Sequence, residues 1–341
     1  MPVVSQRRLS VQEGLDLFRA PLHSLLHEAH EAKRSLHGDR VYYSVNLHIN
    51  YTDYCVSRCA FCAFWKERES SRTLSVDEVI SAIHDGIVEV HITGGLNPEL
   101  GIDYYEELIA RIRENYPSIT IKAFTATEIA FMAEREGIST LGLLARLREA
   151  GLDALPGGGA EILSERLHEK LFPRKAGPET WLRVHREAHS LGIKTNATML
   201  FGHAETHEER IRHLELLRDL QDETGGFMSF IPLPFRTGNN PLGRVTRPIP
   251  AHEILRVVAI SRLFLDNFQH IKAYWVMMGP RLAAVALASG ADDLDGTVGV
   301  ERVAHSAGAD SPVGLAESEV REIISWAGGV PVKRDGLYNI L

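Results

Sequence analysis

From Gly38 onward the chain switches between two hydrophobic periods. Val41, Tyr43, Val45, Leu47 and Ile49 alternate with Tyr42, Ser44, Asn46, His48 and Asn50, the period of two that gives a strand one apolar and one polar face. Short apolar runs predict further strands near 88–93, 119–124, 152–155, 193–199, 227–231, 270–275 and 297–300. Helical spacing between them predicts helices near 76–85, 103–115, 139–150, 161–171, 178–191, 206–223, 251–266 and 279–289, with one more at 315–327. Ahead of the first strand, Ser10 and Glu13 form a capping box before VQEGLDLF, and a second helical stretch runs from Leu22 to Leu36. Repeated strand–helix–strand units require parallel strands with right-handed crossovers, and eight of them predict an α/β fold, a closed (β/α)8 TIM-type barrel. A doubly wound open sheet is the alternative. The expected division is cap helices over 1–38, a barrel over 39–310, and a C-terminal helix and tail over 311–341 packing on it.

In such a barrel the chemistry sits in the loops after the strands. Those loops are rich in Gly, Asn, His and acids: NYTDYCVSRC after the first strand, TGGLNP after the second, TATE after the third, then PGGGAE, FGHAET, PLPFRTGNN and WVMMG.

Composition narrows the class of protein. Over 341 residues, 44% hydrophobic and 24% charged content is that of a globular chain with one large core. A net charge of -8 argues against a phosphate-neutralising surface, so no nucleic-acid partner is expected. No long uncharged apolar run and no signal-peptide pattern is present, which points to a cytoplasmic protein without a membrane partner. Oligomeric state is left open. The 3 cysteines crowd into one segment and cannot form a disulfide framework.

Cys55, Cys59 and Cys62 have CxxxCxxC spacing on the loop after the first strand. Three thiolates so close can wrap one polynuclear iron–sulfur cluster, whereas zinc usually takes four ligands. A cluster with three protein ligands keeps one iron open for a substrate. A purely structural iron–sulfur or zinc site is the competing reading.

CVSRCAFC resembles the hallmark motif of the radical S-adenosylmethionine (SAM) superfamily, and TGGLNP resembles its glycine-rich loop. AGLDALPGGGAEIL, TNATMLFGHAETHEERIRHLELLRDLQDETGGFMSFIPLPF and LDNFQHIKAYWVM are similar to the menaquinone (futalosine pathway) and deazaflavin branch of that superfamily. KAFTATE, IKAYWVMMG, GADDLDGTV and RDGLYN are most similar to the aminodeoxyfutalosine synthase family. One departure stands out: the family commonly has T-N-x-C where this chain reads Thr52, Asp53, Tyr54, Cys55.

The resemblance implies a [4Fe-4S] cluster on Cys55, Cys59 and Cys62, with SAM on the open iron and an electron supplied by a reductant such as flavodoxin or ferredoxin. It implies that the 5′-deoxyadenosyl radical adds to 3-[(1-carboxyvinyl)oxy]benzoate, with rearrangement and loss of a carboxyl group, to give 6-amino-6-deoxyfutalosine. Cyclic dehypoxanthine futalosine synthase and the deazaflavin synthase subunit are the sibling activities.

Expected cofactor-binding residues are Phe61, over the adenine; Gly94 and Gly95, near the methionyl amine; Glu128 and Glu161; and Thr198 and Gly202, near adenosine. Glu128 and Glu161 read equally as a solvated glutamate and a first-turn helix acid. His48, His203 and Asp293 are the catalytic candidates, the last together with Asp292 and Asp295 in a run that could orient ribose or handle protons and that also reads as a turn. Asn46 and Asn50 share the polar strand face with His48 and are substrate-binding candidates, or members of a hydrogen-bond network under the cap helices. A substrate with two carboxylates needs cations, and Arg236, Arg244 and Lys272 are the candidates, each otherwise an ordinary surface charge or ion pair. His203, Glu205 and His207 do not read as zinc ligands, because Thr206 and Glu209 form a capping box that places His207 in a helix's first turn.

Overall fold

The alternation at 41–49 does not make one strand. In the computed structural model, which describes residues 7–299 and 301–341, it breaks at Val45 into β1 (Arg40–Ser44) and β2 (Asn46–Asn50). Each half joins a different sheet. β2 starts a seven-stranded parallel sheet that continues in order through β3 (Glu89–Thr93), β4 (Thr120–Ala123), β5 (Ala154–Leu155), β6 (Lys194–Phe201), β7 (Phe227–Pro234) and β8 (His270–Ile271). β1 pairs in parallel with β9 (Asp293–Gly296) on one side and β10 (Val330–Lys333) on the other. Single bridges from Lys272 to Asp293 and from His48 to Gly299 tie both ends of the large sheet to the β9 segment. The α/β barrel is therefore a curled seven-stranded sheet whose gap is spanned by β9. The eighth strand lies four residues before its expected position at 297–300, where Val300 falls outside the described residues, as do residues 1–6 of the expected cap.

Alternation decides which side chains enter the barrel. Leu47 and Ile49 of β2, Val90 and Ile92 of β3, and Ile121 and Ala123 of β4 are buried in the hydrophobic core. The intervening residues are polar and buried too: Asn46, His48, Glu89 and Lys122. A barrel interior usually holds branched apolar side chains. Here it holds buried polar and charged groups.

Three helices among the described residues were not anticipated, two of them single turns at Trp275–Met278 and Val303–Ser306 and the third a full helix. Ala126–Glu136 follows β4 directly, started by a Thr125–Glu128 capping box and ended by Gly137 in the left-handed region. The expected helix at 161–171 is shorter, Glu165–Leu171, with Ser164 as N-cap. The capping boxes read at Ser10–Glu13 and Thr206–Glu209 are both formed. Helices Val11–Asp16 and Leu22–His37 are fastened to the barrel by arginines: Arg218 donates to Leu9 O (2.8 Å), and Arg256 to Leu17 O (3.1 Å) and Ala20 O (2.8 Å). Among the described residues no helix is long and apolar enough to cross a membrane.

Candidate active site

The cysteine loop is shaped before any ligand is considered. Gly95 N–H donates to Thr52 O (2.9 Å) and Val56 N–H to Leu96 O (3.0 Å), seating the loop on the segment after β3. A Cβ on Gly95 would lie 2.3 Å from Tyr54 O and 2.8 Å from Cys55 Cβ, so only glycine permits this contact. Gly94 is pressed in the same way against the Tyr51 ring, and its N–H donates to Glu128 (3.0 Å). Asp53 accepts from the Arg72 N–H at 2.6 Å. That contact needs only an acceptor, so Asp serves where the family commonly has Asn.

Cys55, Cys59 and Cys62 line one cavity of about 320 Å³ at the C-terminal ends of the strands. Burial pushes the Cys62 thiol up to about 12 and raises Cys59 as well. A cysteine nucleophile is activated by the opposite shift. Buried thiols of this kind lose their protons to a metal that replaces them. The buried Lys175 ammonium stands beside the group, 5.4 Å from the Phe61 ring and ion-paired with Glu161. Burial alone would lower the Lys175 pKa, but Glu161 and Cys59 outweigh it and the net direction is up.

Most of the expected residues meet here. Phe61, Gly94, Gly95, Glu128, Glu161, Thr198, His48, Asn50, Arg236 and Lys272 all line the same cavity as the cysteines. Glu128 accepts from Tyr51 OH (2.9 Å), Gly94 N–H, Thr125 N–H (2.8 Å) and the Thr125 hydroxyl (2.8 Å). With its acceptor sites filled, it organises the loop over the cavity. Thr198 donates to Gly157 O at 2.7 Å. Lys272 lies deep, bonded to Asp295 at 2.5 Å and 3.6 Å from Asp293. Arg236 stands at the lip, paired at 2.6 Å with the exposed Asp310.

Five of the expected residues stand outside the cavity lining. His203 does not line the cavity; its Nε2 meets Leu200 O (3.0 Å) and its Nδ1 faces Glu205 (3.2 Å), with the side chain 1% exposed. Gly202 has φ +92° and does not line the cavity, and a Cβ there would strike the Ile249 side chain at 2.8 Å. Asn46 is buried below the cavity and accepts from the Val298 N–H (2.7 Å), holding the segment that closes the barrel. Arg244 is exposed on a short 3-10 turn, Leu242–Arg244, away from the cavity. Asp293 is buried one layer down against Arg334, and Asp295 takes the cavity position instead.

Sequence reasoning missed several lining groups. His91 packs on His48 with ring centroids 4.4 Å apart, and the alternation of EVHIT carried that signal. Asn196, Tyr274 and Glu301 also line the cavity. Burial lowers the pKa of His48 and, more strongly, of His91, so both rings favour the neutral form. Three buried polar atoms on the wall have no hydrogen-bond partner among the described residues: Thr127 Oγ1, His48 Nε2 and Asp295 Oδ2.

The donor set fits an iron–sulfur cluster: three thiols on one loop, a buried cation beside them, and orphaned polar atoms in a cavity that continues from them. The Radical SAM superfamily model matches residues 49–217, and a model described as the CofH/MqnC C-terminal region matches 224–341. The chain belongs to the radical SAM superfamily and is an enzyme that uses a [4Fe-4S] cluster and SAM. It resembles the aminodeoxyfutalosine synthase of Thermus thermophilus, with 43% identity over 99% of this chain and 93% of that protein. An Archaeoglobus fulgidus protein named 5-amino-6-(D-ribitylamino)uracil–L-tyrosine 4-hydroxyphenyl transferase is 40% identical over 99% of both chains. Among solved structures, methylornithine synthase superposes with a TM-score of 0.77 at 19% identity, over 96% of each chain, which shows the shared fold.

Proposed function

We propose that this enzyme is an aminodeoxyfutalosine synthase, joining the adenosyl group of SAM to 3-[(1-carboxyvinyl)oxy]benzoate with loss of one carboxyl group. The observation that carries the reading is a cavity containing the cysteine loop together with one cation at its floor, Lys272, and another at its lip, Arg236. A substrate with two carboxylates has a counterion for each end. The likeness to the Thermus thermophilus synthase supports the same choice. The cluster and SAM, when bound, supply the 5′-deoxyadenosyl radical. The protein's part is placement: Lys272 and Arg236 fix the carboxylates, Asn50 lines the wall, and the neutral His48 beside Asp295 offers a donor or acceptor to the reacting end.

The tyrosine-linked transferase reading is favoured by the 40% relative. A substrate panel separates the two. The reconstituted enzyme with SAM and reductant is expected to convert the enol-ether benzoate to 6-amino-6-deoxyfutalosine, read by mass spectrometry. Turnover of L-tyrosine with 5-amino-6-(D-ribitylamino)uracil, and none of the benzoate, would overturn the proposal.

A further inference from the structure

The closing motif RDGLYN has no place in the cavity, yet its arginine is among the most deeply buried side chains of the chain. Arg334 is 0% exposed and enters the barrel from the C-terminal tail. Its Nε donates to Asp293 Oδ2 at 2.6 Å, its Nη1 to Asp335 O at 2.9 Å, and Nη1 lies 3.5 Å from Glu89. The Tyr338 ring stacks under the guanidinium at 4.0 Å. The turn that presents it is fixed by Asp335, which accepts from the Leu337 and Asn339 N–H groups at 2.8 and 2.9 Å.

From Arg334 a chain of charges leads to the cavity. Asp293 sits between Arg334 and Lys272, with Lys272 Nζ 3.6 Å from its Oδ1. Lys272 is closer to Asp295, at 2.5 Å. Asp295 Oδ2 then lies 3.7 Å from His48 Nε2, and neither atom has a hydrogen-bond partner among the described residues. Lys272 thus has two aspartates within reach and rests on the one that faces the cavity. What satisfies the other is Arg334.

We propose that Arg334 is a positioning residue for the reacting cavity: by neutralising Asp293 it leaves Lys272 at the cavity floor, where the ammonium can meet an anionic group of the substrate. Without Arg334, Asp293 is a buried carboxylate short of a counterion, and Lys272 is the nearest cation to move onto it. Asp295 is then left facing the cavity as an uncompensated anion, which repels a carboxylate instead of attracting it. The inference rests on an anionic substrate, as in the reading above, but concerns the tail rather than the identity of that substrate.

The test compares variants of the cluster-loaded enzyme. Arg334→Met is expected to raise KM for the enol-ether benzoate on the order of tenfold, with a smaller change in kcat and unchanged iron content. Arg334→Lys should recover most of the loss. Asp293→Asn added to Arg334→Met should bring KM back toward the parent value, because no bare carboxylate then draws Lys272 away. Arg334→Gln replaces the methionine variant if that one does not fold. A KM unchanged within about twofold in the single variant, or a double variant as impaired as the single one, overturns the proposal and leaves Arg334 a structural residue. If the parent enzyme is inactive on the benzoate, the substrate reading fails, and the same KM comparison on L-tyrosine decides the role of Arg334.

Discussion

Two regions of this molecule each gather three side chains of the metal-binding kind, and only one of them is open. Cys55, Cys59 and Cys62 line a cavity with unpartnered polar atoms around it. His37, His270 and Asp292 bring their ligand atoms within 4.8 Å of one another, a tighter grouping on geometry alone. Yet Asp292 is already filled: Oδ1 accepts from Arg262 and the Ile271 N–H (2.8 Å), and Oδ2 from His270 Nδ1 (2.5 Å). His37 Nε2 is engaged by Gln269 O at 2.8 Å. A cation on Oδ2 would have to displace the His270 proton and would stand against the buried Arg262 guanidinium, already paired with the same carboxylate. Proximity of ligand atoms is therefore a weaker sign of a metal site than capacity left unused, and the cysteine loop has that capacity.

The contrast is broken most directly at the cysteines. Cys59→Ala should abolish both the cluster's absorbance and reductive SAM cleavage while leaving a folded protein; retention of either would remove the loop from its role. The opposite pattern is expected at the closed cluster. Asp292→Ala strips the counterion from buried Arg262 and should cost about 3–5 kcal/mol in a denaturant titration, with no change in metal content. Metal lost from the protein on that substitution would reverse the comparison.

Glu128 tests a satisfied group on the open side. Burial raises its pKa against the hydrogen bonds from Thr125, Tyr51 and Gly94. Glu128→Gln converts an acceptor-only group into one with two donors, so some of those contacts are lost, at about 1–3 kcal/mol and with weaker SAM binding by calorimetry.

Acid should act first on histidines. His213 accepts from the Leu163 N–H through Nδ1 (3.0 Å), so its Nε2–H donates to Thr198 O (3.0 Å), and burial lowers its pKa from 6.5 to about 3. The folded state holds it neutral while the unfolded chain protonates near 6.5, so its contribution is full above that pH and falls as pH drops toward 3. Asp293, which Arg334 and Lys272 hold at about 2 against burial, keeps its full contribution above the ordinary carboxylate pKa of 3.8 and loses it as pH falls from there toward 2. Unfolding free energy measured between pH 7 and 4 should decline, and less steeply in His213→Gln. The smallest effect belongs to the lip: Asp310→Ala frees Arg236 from an exposed pair and should change stability by less than about 1 kcal/mol.

Much of this was legible because hydrophobic period and cap chemistry act locally. The polar face of β2 and the Thr206–Glu209 box needed only neighbours along the chain. β9 did not read as a strand because DLDG carries two acids into a buried position, and the cations that permit it, Arg334 and Lys272, are distant in sequence. The same distance hid which aspartate faces the cavity. Helix Ala126–Glu136 did have its signal, the capping box within TATE, but it follows β4 so closely that it read as loop. His203 and Gly202 lie off the cavity for another reason: a loop after a strand contains residues that turn away from the barrel axis, and sequence spacing does not say which.

The most direct test of the central claim follows the fate of the adenosyl group. With SAM labelled in the adenosine moiety, the reconstituted enzyme, reductant and the enol-ether benzoate, the label should appear covalently joined to a benzoate-containing product. Label recovered wholly as free 5′-deoxyadenosine, with the benzoate unchanged, would contradict it.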